Sequence, residues 1–205
     1  MKIAIIGAGN VGSALALGWA KSGHEIIIGA RNKESEKVKN VTSQNAAIKV
    51  KAISEGVKES EVILIAATPN AVEEISKQLV DVKDKVIIDA MNSVSSKPAG
   101  FVNTFDALKA LTNCENIVKC FNSTGFENMS DPKYGNTAAD MFVAGNSTRG
   151  KQTASKLAKD IGFAECYDFG GDDKADLLEQ LAKVWINLAI FQKQGRNIAI
   201  KILKR

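Results

Sequence analysis

Short apolar runs separated by longer stretches of helical period fill the first 170 residues of the chain. The runs cover 2–6, 25–29, 48–52, 62–67, 85–89, 116–121, 140–144 and 165–169. Most are rich in Val and Ile and do not alternate with polar residues, which predicts strands buried on both faces. Between them the spacing predicts helices over 10–22, 34–40, 54–59, 70–79, 105–112 and 149–161. Strand and helix taking turns in this way predict an α/β fold, a Rossmann-type doubly wound and mostly parallel sheet. No repeat or Pro/Gly/Ser-rich linker breaks the pattern, so residues 1–170 read as one domain. After Gly170-Gly171 the texture changes, and 171–205 reads as a C-terminal helical extension. Leu177, Leu178, Leu181, Val184, Trp185 and Leu188 form a stripe fit to pack on the sheet or on a second subunit. Gly195 interrupts the helix, with a short further helix expected beyond it.

Composition narrows the classes. With 205 residues, 45% hydrophobic and 24% charged, the chain can bury a core without disulfides or metals. The net charge of +4 favours an anionic small ligand and is too diffuse for nucleic acid. Cys114, Cys120 and Cys166 are odd in number and form no C-x-x-C, and one histidine gives zinc little to bind. No apolar run reaches membrane-spanning length. The expectation is a cytoplasmic protein with reduced thiols, no metal and no membrane insertion.

Gly7-Ala8-Gly9-Asn10-Val11-Gly12 is a complete G-x-G-x-x-G that directly follows a strand and opens a helix. The order has physical reasons. Gly7 permits the tight turn, Gly9 lets a pyrophosphate approach the backbone, and Gly12 lets helix and strand pack closely. The helix start offers unpaired N–H groups and a positive dipole end to phosphates. At the end of the second strand, enzymes that use NAD place Asp or Glu to hold the ribose 2′-OH. Here stands Gly29-Ala30-Arg31-Asn32-Lys33, with no acid. A guanidinium binds a 2′-phosphate through its planar fork, and Asn32 and Lys33 add donors. The reading is NADP(H).

Ligands in such sheets sit at the carboxyl ends of the strands. Thr68, Pro69, Asn92, Ser93 and Ser123 therefore become candidates for the nicotinamide half, although each residue type also serves in turns and caps. No obvious catalytic acid accompanies them. That suits hydride transfer between two ring systems, where the protein positions and the cofactors do the chemistry. His24 precedes the second strand, at the far end, and reads as structural. One weak catalytic candidate is Lys183, four residues before Asn187 on the last helix, a pattern similar to Lys-x-x-x-Asn of 3-hydroxyacid dehydrogenases. A small 3-hydroxyacid or imine dehydrogenase, and a non-catalytic NADP-binding sensor, are the competing readings.

Several stretches together resemble the NADPH-dependent reductases of coenzyme F420, a deazaflavin. They are 3–12, Gly23-His24-Glu25-Ile26-Ile27-Ile28-Gly29-Ala30-Arg31, Thr68-Pro69 and 118–129 with Asn122 and Phe126-Glu127-Asn128-Met129. The terminal pattern Leu178-Glu179-Gln180-Leu181 with Trp185, Asn187 and Gly195 matches as well. The Rossmann unit is also similar to the cytosolic domain of STEAP-type ferric reductases. The resemblance implies a short enzyme, often a homodimer, that stacks a small-molecule redox acceptor against the nicotinamide. It places Ala8, Gly9, Asn10 and Val11 at the pyrophosphate and Ala30 and Arg31 at the 2′-phosphate. Thr68 and the Ser93 and Ser123 regions fall near the nicotinamide. The family's phosphate-binding lysine falls on Ser35 here, so Lys33 is expected to substitute. Coenzyme F420, FMN and FAD are all candidate acceptors.

Overall fold

Ten strands and eight α-helices follow one another along the chain in the computed structural model, which describes residues 1–94 and 96–205. In order they are β1 (Lys2–Ile6), α1 (Asn10–Lys21), β2 (Glu25–Gly29), α2 (Glu36–Gln44), β3 (Lys49–Lys51), α3 (Ile53–Glu59) and β4 (Val62–Ile65). Next come α4 (Val72–Ser76), β5 (Val86–Asp89), α5 (Thr104–Leu111), β6 (Asn116–Cys120), α6 (Phe126–Ser130), β7 (Lys133–Tyr134) and β8 (Thr137–Ala138). β9 (Met141–Ala144), α7 (Thr148–Asp160), β10 (Cys166–Asp168) and α8 (Ala175–Ile186) follow, and a π-helical turn over Asn187–Phe191 continues directly from α8. Eight strands form one sheet in the order β10-β9-β6-β5-β4-β1-β2-β3. The six from β3 to β6 have the 3-2-1-4-5-6 order of the doubly wound dinucleotide fold and run parallel.

The two faces of β1 show why the sheet is covered on both sides. Ile3 and Ile5 pack with Leu15, Trp19, Val38 and Leu157 of α1, α2 and α7, while Ala4 and Ile6 pack with Ile53, Val57, Val72 and Ile75 of α3 and α4. Trp19, fully buried, donates from Nε1 to the Leu157 carbonyl at 2.9 Å and meets the Phe121 ring edge-on at 5.4 Å. β9 departs from the parallel direction and pairs with β6 antiparallel. The β6–β9 connection carries the short α6 and the β7–β8 hairpin rather than a covering crossover helix, so the chain re-enters reversed. These small elements escape sequence periodicity because they are too short to repeat.

Three local expectations are corrected. The helix expected over 70–79 is a 3-10 turn at Pro69–Ala71 followed by α4, since proline favours the first position of a tight helical start. The helix expected over 34–40 is displaced to Glu36–Gln44, with Ser35 at its N-cap in an extended conformation. No helix follows Gly195. From residue 196 the chain has no regular secondary structure, and several of its backbone groups bond to distant partners. Trp185 Nε1 and Asn128 Nδ2 both donate to the Ile198 carbonyl at 2.7 Å, and the Asp140 carboxylate accepts from the Ile202 N–H at 2.8 Å.

His24 is structural. Its Nδ1 lies 3.3 Å from the amino group of Met1 and its Nε2 lies 2.9 Å from Asp160, joining the start of the sheet to the end of α7. Burial pushes the Asp160 carboxyl up, but hydrogen bonds from Lys156 and His24 outweigh it and hold the group below its ordinary value. A depressed carboxyl stabilises the fold above its unfolded pKa and ceases to do so as pH falls through its folded value. Asp160→Asn should therefore lower stability by at most about 1 kcal/mol at neutral pH, a deficit that closes in acid. Denaturant melts of both proteins at neutral and strongly acidic pH check this.

Candidate cofactor site

The strand order reverses between β1 and β4, and there the glycine loop stands against the carboxyl end of β4. Gly7 has φ +109°, a left-handed conformation, and a Cβ on it would overlap the Ala66 carbonyl. A Cβ on Gly12 would overlap the Gly7 carbonyl oxygen, so Gly12 seats α1 against its own loop. Gly9 differs: a Cβ there would meet nothing within 4 Å. Its emptiness faces the crevice. Gly9 is also the N-cap of α1, with no side-chain cap and no acid in the first turn. The first helical bond is Ser13 N–H to the Gly9 carbonyl at 2.8 Å, so the N–H groups of Asn10, Val11 and Gly12 have no intrahelical partner. A cradle without a side chain, beneath three unpaired donors and a positive helix end, fits a pyrophosphate.

A crevice of about 730 Å³ opens from this loop. It is lined by Gly7, Ala8, Gly9, Asn10 and Val11, by Ala30, Arg31 and Asn32 beyond β2, and by Ala66, Ala67 and Thr68 beyond β4. Arg31 is exposed. Asn32 accepts the Glu34 N–H at 2.9 Å through Oδ1, so its carbonyl closes the turn and only its NH₂ remains for other partners. Two further lining residues, Ser35 and Lys37, come from the start of α2. Lys33 does not line the crevice, and its Nζ lies 3.7 Å from Glu55. The sequence signal for Lys37 was available: a lysine in the first turn of the helix after Arg31 is carried back over the end of β2. One carboxylate, Glu74, lines the far side and pairs with Lys77 at 2.6 Å.

The nicotinamide-half candidates divide. Thr68 is exposed and lines the crevice, while Pro69 is buried at the start of the 3-10 turn. Asn92, Ser93 and Ser123 lie just beyond β5 and β6, outside the crevice lining, each engaged by protein. Asn92 donates to the Asn122 carbonyl at 2.6 Å and accepts from Asn122 Nδ2 at 3.0 Å. Ser93 donates from N–H to Glu179 at 3.0 Å, and Ser123 Oγ lies 3.9 Å from the Met141 sulfur. Asn122 is 3% exposed, and its Oδ1 accepts no hydrogen bond among the described residues. The residue before it, Phe121, has φ +61°, a strained conformation for an aromatic residue. Lys183 is exposed on α8 and does not line the crevice.

Sequence reasoning missed a buried ionic network. Lys119 on β6 is fully buried, and its Nζ donates to Asp89 Oδ2 at 2.9 Å, Glu179 Oε1 at 2.6 Å and Thr104 Oγ1 at 3.2 Å. In sequence Lys119 sits inside an apolar run with nothing local to mark its partners.

Comparison with known proteins agrees with this geometry. Residues 2–93 match the family described as NADP oxidoreductase, coenzyme F420-dependent. The F420-dependent NADP reductase of Methanothermobacter marburgensis is 29% identical, over 98% of this chain and 98% of its own. That of Methanothermobacter thermautotrophicus is 26% identical over 98% and 94%. In shape, a candidate F420-dependent NADP-reductase of Arthrobacter superposes with TM-score 0.84 over the whole of both chains at 23% identity. An imine reductase of Myxococcus stipitatus in complex with NADP+ superposes at 0.67 over 94% of this chain and 62% of its own, at 14% identity. Likenesses at these low identities show the shared Rossmann-type fold.

Proposed function

We propose that the protein, whose residues 2–93 match the model of the coenzyme F420-dependent NADP oxidoreductases, transfers hydride between NADP(H) and coenzyme F420. The observation that carries the reading is the crevice, which joins an open glycine cradle at a helix start to Arg31 and Lys37, with no acid at the end of β2. Two F420-dependent NADP reductases aligned along nearly their entire lengths support the acceptor.

Ala8, Gly9, Asn10 and Val11 would hold the pyrophosphate through backbone N–H groups, while Gly7 and Gly12 shape the turn. Ala30 would pass the ribose, and Arg31, Asn32 and Lys37 would take the 2′-phosphate, with Lys33 contributing charge at longer range. Thr68 and Pro69 would bound the nicotinamide ribose, and Asn92, Ser93 and Ser123 would form the floor beneath the ring. With both partners bound, the nicotinamide would supply a hydride and the deazaflavin would accept it together with a solvent proton. The protein's part is to align the rings and exclude water.

Anaerobic NADPH oxidation with coenzyme F420, FMN and FAD offered in parallel tests this. Reduction of coenzyme F420 well ahead of both flavins is expected. NADPH binding without reduction of any acceptor would leave a sensor as the better description. Free thiols at Cys114, Cys120 and Cys166 suit a cytoplasmic setting, and no helix among the described residues is long and apolar enough to cross a membrane.

The division into a dinucleotide domain over 1–170 and a helical segment over 171–205 goes with a second role for α8. Leu178 and Trp185 are buried against the body of the protein, whereas Leu177 (49%), Val184 (52%), Leu188 (43%) and Phe191 (70%) stay exposed. Leu177, half-buried Leu181 and Val184 recur on α8 at steps of four and three, the spacing of paired helices, and Leu188 and Phe191 continue the apolar surface on the π-helical turn over Asn187–Phe191. α8 has Asp176 in its first turn and Lys183 in its last, so an antiparallel second copy meets opposite charge at both ends. A homodimer through this seam is the arrangement we favour. Val184→Glu with Leu188→Glu should halve the mass measured by light scattering, and an unchanged mass would place any dimer contact elsewhere.

A further inference from the structure

Three charges, two on the sheet and one on α8, are buried where such a fold ordinarily carries apolar side chains. Lys119 and Asp89 are fully buried and Glu179 is 3% exposed. Removing such groups from water costs several kcal/mol per ion, and well-packed apolar residues of similar volume would hold the fold as well. Stability alone does not require ions here, and a fixed geometry is what the network provides. All three Lys119 donors are used, on Asp89, Glu179 and Thr104. Asp89 is further fixed by the Met91 N–H at 2.9 Å and the Thr104 hydroxyl at 2.6 Å. What the network reaches is Ser93. Glu179 Oε2 accepts the Ser93 N–H at 3.0 Å, and Oε1 lies 3.4 Å from the Ser93 hydroxyl. One residue earlier, Asn92 exchanges hydrogen bonds with Asn122 at the strained turn after β6. The turn is held a second time by α8, because Asn122 Nδ2 also lies 3.3 Å from the Leu178 carbonyl.

We propose that Glu179, locked by Lys119 and Asp89, is a positioning residue by which helix α8 fixes the Asn92–Ser93 segment under the hydride-transfer end of the crevice. The inference rests on the proposed function for the location of that end. It adds that the C-terminal helix is part of the alignment machinery, although it contributes no crevice-lining residue. A carboxylate whose two oxygens are held separately, one by an ammonium and one by a backbone N–H, permits little displacement of the loop. Hydride transfer is sensitive to displacements of a fraction of an ångström.

The test replaces the three charges by uncharged residues of similar size, Lys119→Met with Glu179→Leu and Asp89→Asn, the last keeping an oxygen for the Met91 N–H, so that folding is kept while the Ser93 anchor is lost. Three readouts are taken. Binding of 2′,5′-ADP, which uses only the glycine loop and the Arg31 side, should match wild type. Amide exchange over residues 91–94 should accelerate at least tenfold. Single-turnover hydride transfer at saturating NADPH should fall at least tenfold. The single change Glu179→Gln offers one oxygen where the Lys119 ammonium and the Ser93 N–H require two, so it should lose exchange protection over 91–94 and transfer together. Wild-type transfer and exchange in the triple variant would overturn the proposal, as would equal losses in exchange protection and 2′,5′-ADP affinity, which mark general loosening. If wild type reduces no acceptor, the proposed function fails on its own, and the exchange and 2′,5′-ADP comparisons still decide whether Glu179 anchors the loop.

Discussion

Gly9→Ala should fold and melt like the wild type yet bind NADPH at least a hundredfold more weakly, whereas Gly12→Ala should damage the protein before any cofactor is added. The motif contains three glycines, and the structure separates their reasons. At Gly9 the added methyl meets no protein atom within 4 Å and the backbone is extended, so the free protein tolerates alanine. The methyl instead occupies the approach of a pyrophosphate to the N–H groups of α1, and a hundredfold loss corresponds to about 2.7 kcal/mol of forfeited charge-assisted bonding. At Gly12 the methyl collides with the Gly7 carbonyl, a backbone atom that cannot swing aside. Either α1 moves off β1, breaking the contact of Leu15 and Trp19 with the core, or the loop distorts. The expected cost is in the range of overpacking, about 1–3 kcal/mol. Melting curves with and without NADPH read both effects. A Gly9→Ala protein that melts early without cofactor would show that Gly9 serves the fold and not the ligand.

Arg31→Ala should raise the Kd for NADPH tenfold or more while NADH binding stays nearly unchanged. The guanidinium lies on the crevice wall beyond β2 with no carboxylate partner among the described residues, so it is available to a dianionic 2′-phosphate. Tenfold is about 1.4 kcal/mol, modest for one exposed charge-assisted pair. Lys37→Ala should act in the same direction and more weakly, as a point charge does beside a planar fork. Lys33→Ala should change little, because that lysine is turned toward Glu55. Titration of each variant with NADPH and NADH separates these outcomes. Equal losses for both cofactors would mean that Arg31 supports the loop and does not read the phosphate.

Much of this was legible in the amino-acid order because it is local. Eight apolar runs, most of them without alternation, give the eight strands of the main sheet, since a central strand buried on both faces has no polar side to show. G-x-G-x-x-G between strand and helix gives the cradle, because a tight turn, a bare backbone and a close helix contact are satisfied within six residues. Arg31 in place of an acid is equally local, one position read against one strand end. Tertiary structure alone decided what depends on residues far apart in sequence. Whether Lys33 or Lys37 borders the crevice depends on where α2 begins and on Glu55 standing opposite. Lys119 is tolerable in a buried strand only because Asp89, 30 positions earlier, and Glu179, 60 positions later, converge on its ammonium. The tail after Gly195 forms no helix because Trp185, Asn128 and Asp140 take its hydrogen bonds. Turn chemistry and periodicity are properties of neighbours along the chain. The stability of a buried charge or an unpaired carbonyl is a property of neighbours in space, which only the folded chain supplies.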